Sequence, residues 1–196
     1  LRVRELRFIL PLLGVTYAAS ACIRGLWAGP YLAEVFGASD YRIGWVTLGM
    51  GLAMVTANLS VGRVVRLFGS DKRTSIANTA LLCAVLTALW LGSGLSLWLS
   101  SVLLVMVCIS DSSYSLIMSH GRAYLPQHLV GRGITFMNMV SIAGVGIMQF
   151  LSRPVYLSSS ASHPPAQAYG YIFLFFLIPL AIGLVFYLFS PEDGHA

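Results

Sequence analysis

Six long apolar stretches, joined by short polar turns, set the terms for everything this chain can fold into. They are Phe8–Gly29, Gly44–Gly62, Thr74–Leu91, Leu97–Met118, Gly133–Leu151 and Tyr169–Phe189, and together they contain only two charged residues, Arg24 and Asp111. A membrane-crossing helix needs about 20 mostly apolar residues, and each stretch comes close to that length. Strands of a membrane barrel are about 10 residues long and alternate apolar with polar side chains. These stretches are twice as long and do not alternate. Composition points the same way: 57% of residues are hydrophobic, 10% are charged, and the mean hydropathy is +0.80. A soluble domain is roughly one quarter charged, so lipid must be the solvent for most of this surface. The expected fold is all-α: one polytopic membrane bundle of six transmembrane helices spanning residues 1–196.

The basic residues orient the bundle. Arg2, Arg4 and Arg7 precede the first stretch; Arg63, Arg66, Lys72 and Arg73 lie between the second and third; Arg122 and Arg132 lie between the fourth and fifth. In an alternating topology these nine share one side, and only Arg42 and Arg153 fall on the other. The positive-inside rule then places both chain ends in the cytoplasm. The net charge of +5 follows from this bias. Basic residues divided among three short segments do not make a nucleic-acid surface. The segment Leu1–Arg7 could pass for the charged start of a signal peptide, but the apolar run behind it is too long and no cleavage site follows. Lacking an initiator Met, the chain is expected to be part of something longer. Ser158–Ala168 reads as the one extended loop, on the outer face.

A three-helix period runs through the chemistry. The first and fourth stretches each hold one charge; the second and fifth are Gly-rich with scattered amides; the third and sixth are the plainest and most lipid-like. Three helices repeated in reversed orientation is a transporter plan. Gly44, Gly49, Gly51, Gly144 and Gly146 are expected to let backbones approach closely. Gly29-Pro30 should end the first helix, and Pro179 should kink the sixth. The aromatic run Tyr169, Tyr171, Phe173, Phe175 and Phe176 reads as lipid contact. Cys22, Cys83 and Cys108 read as buried structural thiols.

Arg24 and Asp111 carry the candidate chemistry, because a charge in the hydrocarbon region costs at least about 2.5–3.5 kcal/mol and normally faces a partner or a watery cavity. Helical spacing puts Tyr17, Ser20, Arg24 and Trp27 near one face, and Asp111, Tyr114, Ser115 and Met118 near another. The alternative is a structural ion pair locking two helices. Depth argues mildly against a direct bridge: the stretch boundaries put Arg24 near the outer end and Asp111 in the inner half, an offset on the order of 10 Å. Arg24 keeps its proton and suits an anionic group. Asp111 can titrate and suits a proton carrier. Thr135, Asn138 and Gln149 on the fifth helix, with Thr47 and Asn58 on the second, are amide and hydroxyl stripes that bond neighbouring helices or touch solute. His120, His128, His163 and His195 fall in turns or the tail, and no pair has ligand spacing, so no metal and no cofactor is expected. A membrane serine protease would need an intramembrane His, and an aspartyl protease a second intramembrane Asp. With no phosphate-binding motif either, no enzyme reading finds its residues.

The segment Gly62-Arg-Val-Val-Arg-Leu-Phe-Gly69-Ser-Asp71-Lys72-Arg73 resembles the loop motif Gly-x-x-x-Asp-Arg-x-Gly-Arg-Arg of the major facilitator superfamily, in its degenerate second-half form. Gly62 and Gly69 keep the spacing. Arg66 stands in place of the motif's Asp, Ser70 and Asp71 replace its basic pair, and Lys72 and Arg73 follow. Arg24-Gly-Leu-Trp-Ala-Gly-Pro-Tyr-Leu and Gly131-Arg-Gly-Ile-Thr-Phe-Met-Asn138 look like the seventh and the start of the eleventh helices of some bacterial members. The resemblance implies the C-terminal six-helix half of an alternating-access carrier in a bacterial inner membrane. Its first and fourth helices would line the central cavity, its second and fifth would meet an N-terminal half, and its third and sixth would face lipid. A small-molecule solute would be the cargo. Arg24, Asp111, Tyr17, Trp27, Tyr114, Asn138 and Gln149 would be the candidate contacts. A non-transporting six-helix scaffold is the competing expectation.

Overall fold

The computed structural model describes residues 4–192. Arg2 and His195 lie outside the described residues. The chain forms six membrane-length helices: α1 (Leu6–Phe36), α2 (Asp40–Phe68), α3 (Asp71–Leu91), α4 (Leu97–Ala123), α5 (Gln127–Ser160) and α6 (Pro165–Leu188). No strand occurs among the described residues. The protein is therefore an all-helical, integral membrane bundle. In lipid every backbone amide and carbonyl must be satisfied within its own segment, and the helix does this.

The helices outrun the apolar stretches at most ends, and local chemistry explains where they stop. Pro30 does not end α1. The turn before it, Ile23–Trp27, is widened so that the amide of Ala28 reaches the carbonyl of Ile23. Pro30 has no amide, and its ring crowds the carbonyl one turn back; a widened turn at that point relieves the crowding. The helix ends seven residues later at Gly37, whose φ of 60° lets the amides of Gly37 and Ala38 turn back to Ala33 and Leu32. The Gly62–Arg73 segment is not a loop. Arg63 and Arg66 sit in the last turns of α2, Gly69 (φ 79°) closes it, and Ser70 caps α3 by accepting the amide of Arg73 at 3.1 Å. The Ser158–Ala168 loop likewise shrinks to residues 161–164. Pro179 lies within an uninterrupted α6.

Packing follows an exchange rule. α1 lies along α5 as α4 lies along α2, α1 meets α6 as α4 meets α3, and α3 and α6 pack on each other. Swapping the first three helices with the last three preserves these neighbours, and in an alternating topology the two triplets run in opposite directions. Burial in lipid brings no hydrophobic reward; close packing and interhelical hydrogen bonds hold such bundles. Gly144 supplies the closest approach: a Cβ there would stand 2.8 Å from the carbonyl carbon of Gly14. Gly44, Gly51 and Gly146, in contrast, would meet nothing within 4 Å, so they are not crossing points in this half.

The aromatic run on α6 also reads differently in the fold. Tyr169, Phe173 and Phe176 are fully buried. Tyr169 and Phe173 pack around Tyr31 at 5.3 and 5.1 Å, and the Tyr31 hydroxyl donates to the Ser93 carbonyl at 2.7 Å and meets Ser100 Oγ at 2.8 Å. Tyr171 remains exposed. α2 and α5 are the least buried helices, whereas α3 and α6 turn one face into the core and keep another exposed, at Leu81 and Trp90 and at Ile178, Ile182 and Val185.

Candidate functional site

Two irregular turns at mid-span position the two intramembrane charges. Arg24 sits in the widened turn of α1. Asp111 sits in a tightened turn, Ser110–Ser112, that interrupts α4. Widened and tightened turns inside long helices concentrate at functional positions. Because α1 continues to Phe36, Arg24 lies twelve residues from its far end, and Asp111 lies fourteen from the matching end of α4. At about 1.5 Å per residue these depths are roughly 18 and 21 Å. The expected offset therefore disappears; it came from ending α1 too early.

The charges share a level without forming an ion pair. Asp111 is 8% exposed, and its carboxylate accepts a hydrogen bond from the Ser20 hydroxyl on α1. Arg24 is half-buried and points its guanidinium at the thioether of Met54 on α2. Asp111 is within the electrostatic reach of Arg24, yet the only ion pair among the described residues is Arg73–Glu192, between the start of α3 and the segment after α6. A guanidinium has five donors and no acceptor, and a thioether sulfur is a weak acceptor. The Met54 contact uses little of Arg24's bonding capacity.

The remaining candidates divide. Tyr17 and Tyr114 stack at 5.3 Å, and the Tyr114 hydroxyl donates to Asn138 Oδ1 at 2.8 Å, so α1, α4 and α5 converge one turn from Asp111. Trp27 is turned away from Arg24 by the widened turn. Its indole donates to Ser152 at 3.1 Å and its ring packs on Tyr156 at 5.2 Å. Gln149 is exposed and lines an apolar groove with Trp27, Phe150 and Arg153. Asn58, Thr47 and Thr135 bond carbonyls of their own helices and bridge nothing.

At the basic end, Lys72 is buried and donates to the carbonyls of Leu188 and Ser190 at 3.2 and 2.5 Å, capping α6. Arg73 meets Glu192 at 3.2 Å. Asp71 lines a crevice beside them, and Gly62 is exposed. His120 is not in a turn: it lies buried within α4, against the Tyr187 hydroxyl at 2.7 Å and the Pro191 carbonyl at 3.2 Å. Sequence reading missed it because the apolar run stops at Met118 while the helix continues to Ala123. It also missed the bond from Asn78 to Ser112 at 2.8 Å, which ties α3 to α4 beside Asp111. Asn78 lies in a plain apolar stretch with no partner within helical spacing.

Six membrane helices, packed as two exchangeable triplets around two mid-level charges, make a fold shared by one half of a solved membrane transporter. Among solved structures the chain is similar to the inward-open conformation of the xylose transporter XylE from E. coli, with a TM-score of 0.78 and 17% sequence identity over 97% of this chain. It spans about half the length of that protein, 49%. No protein-family profile matches the sequence, and no curated protein matches it either.

Proposed function

We propose that the chain is the C-terminal half of a secondary transporter that moves a small solute across a bacterial inner membrane by alternating access, with both ends in the cytoplasm and an N-terminal half completing the pathway. The observation that carries this reading is the placement of Arg24 and Asp111. They sit at one depth, on the two helices that the exchange rule relates, and each is held without a countercharge. A structural lock would have paired them. Arg24 then contacts an anionic group of the solute, and Asp111 carries the coupling proton. The residues Tyr17, Tyr114 and Asn138 shape the wall between them, and Trp27 and Gln149 border it farther out. Sites of this kind lie between two halves that rock about them, so this half alone does not transport.

Full-length protein in detergent, screened for melting-temperature shifts with candidate solutes, tests the reading, because a ligand that binds the folded state raises its stability. An organic or inorganic anion raises melting in the wild type and fails to do so in Arg24→Ala. An equal shift in that variant removes Arg24 from the site. For coupling, Asp111→Asn abolishes accumulation driven by a pH gradient; accumulation at the wild-type level excludes the proton role.

A further inference from the structure

The Asp111 carboxylate has one hydrogen-bond partner among the described residues, the Ser20 hydroxyl of α1. That pair joins the two charged helices at their shared depth, and both residues are buried, with 2% exposure for Ser20 and 8% for Asp111. Ser20 Oγ has a second acceptor in reach: the carbonyl of Tyr17, one turn back on α1, at 3.2 Å. A hydroxyl carries one proton and two lone pairs, so Ser20 can accept from one neighbour while it donates to another. Arg24, the other polar group of α1 within electrostatic reach of Asp111, has donors only. A donor-only partner loses its acceptor when the oxygen it holds gains a proton. A hydroxyl does not, because it can turn round.

We propose that Ser20 is the positioning residue for the proton step, holding Asp111 in both of its protonation states by reversing their hydrogen bond. The proposal rests on the proton role of Asp111 given above. In the ionised state Ser20 donates to Asp111 Oδ1. A hydronium ion from water in the solute cavity then delivers one proton to Oδ1 and leaves as water. The new O–H donates to Ser20 Oγ, and the Ser20 proton swings to the Tyr17 carbonyl. Release reverses each move, and α1 stays tied to α4 throughout. Without Ser20 the neutral acid would be a buried polar group left unpaired, which is costly. No other charged group competes for the carboxylate at this level. Ser20 and Arg24 face it from α1 and Cys108 from its own helix. α2 and α3 pack against the same turn and carry their charged residues near their ends.

Infrared difference spectroscopy of the full-length protein in lipid vesicles, stepped between acid and alkaline pH, tests this with the proton itself as the ligand. The wild type shows a protonated-carboxyl C=O band that Asp111→Asn removes. Ser20→Ala displaces this band, because the neutral acid has lost its acceptor, and Ser20→Thr, which keeps the hydroxyl, restores its position. An Asp111 band at the wild-type position in Ser20→Ala overturns the proposal, since the hydroxyl then holds only the ionised form. A band displaced equally in Ser20→Ala and Ser20→Thr overturns it too, because packing rather than the hydroxyl then sets the position. Should Ser20→Ala not reach the membrane, Ser20→Cys, whose thiol is a weak partner, carries the same outcomes. Wild-type spectra from Asp111→Asn would instead sink the proton role itself, a failure read separately from that of Ser20.

Discussion

Replacing Gly144 with Ala adds a single methyl group at the point where α5 crosses α1. That Cβ would stand 2.8 Å from the carbonyl carbon and 3.2 Å from the Cα of Gly14, with the carbonyl oxygen closer still. Carbon atoms settle about 3.5–4.0 Å apart, so the two helices must separate by something near an ångström. The obstruction is backbone on both sides, and no rotamer change can relieve it. Forcing extra volume into a packed contact costs about 1–3 kcal/mol. Ala in place of Gly within a helix returns roughly 0.5–1 kcal/mol, and Gly146→Ala isolates that second effect because its Cβ would meet nothing within 4 Å. The difference between the two variants is then the steric cost, about 1–3 kcal/mol. Unfolding of full-length protein in mixed micelles of rising SDS content, followed by Trp fluorescence, measures it. Gly146→Ala should unfold at or slightly above the wild-type midpoint and Gly144→Ala clearly below it. A Gly144→Ala midpoint equal to that of Gly146→Ala would refute the crossing geometry.

Other expectations follow from single contacts. Lys72→Met removes the cation that caps α6 at two carbonyls; hydrogen bonds to charged groups contribute about 1.5–3 kcal/mol, so the same assay should record a loss of that size. Arg73→Ala breaks a pair whose side chains are 61% and 66% exposed, and exposed pairs contribute little, so its midpoint should stay at wild type. Tyr31→Phe removes the hydroxyl shared by Ser93 and Ser100; interhelical bonds in membranes contribute about 0.6 kcal/mol on average and up to about 1.7, and the loss should fall in that range. Tyr114→Phe frees Asn138 and should change solute affinity in a ligand-melting titration while leaving the unliganded midpoint nearly unchanged.

How far the site could be read in advance depended on what each residue needs as a partner. Arg24 and Asp111 were legible because a charge inside a long apolar run is anomalous wherever its partner lies. Their common depth was not. It depends on α1 continuing past Pro30, and the widened turn that permits this has no sequence signature beyond a Gly-Leu-Trp-Ala-Gly-Pro run that reads as a break. Trp27 shared a face with Arg24 on an ideal helix, but one extra residue in that turn rotated it toward α5. His120 and Asn78 were passed over for another reason. His120 lies beyond the end of an apolar run and so read as a turn residue, Asn78 is a lone amide in an apolar run, and what makes each notable is a bond to a residue far along the chain, Tyr187 for one and Ser112 for the other.

Six spans, their all-helical state and the division of charge between the two ends belong to the sequence alone, because apolar run length and the placement of Arg and Lys answer directly to the bilayer. The rank of the helices in the bundle belongs to the tertiary structure. Polarity made α6 a lipid-facing helix, yet Tyr169, Phe173 and Phe176 pack inside. Lipid and protein interior are equally apolar to a Phe ring, so hydropathy cannot tell them apart; only shape, at contacts such as Gly14 against Gly144, decides which face turns inward.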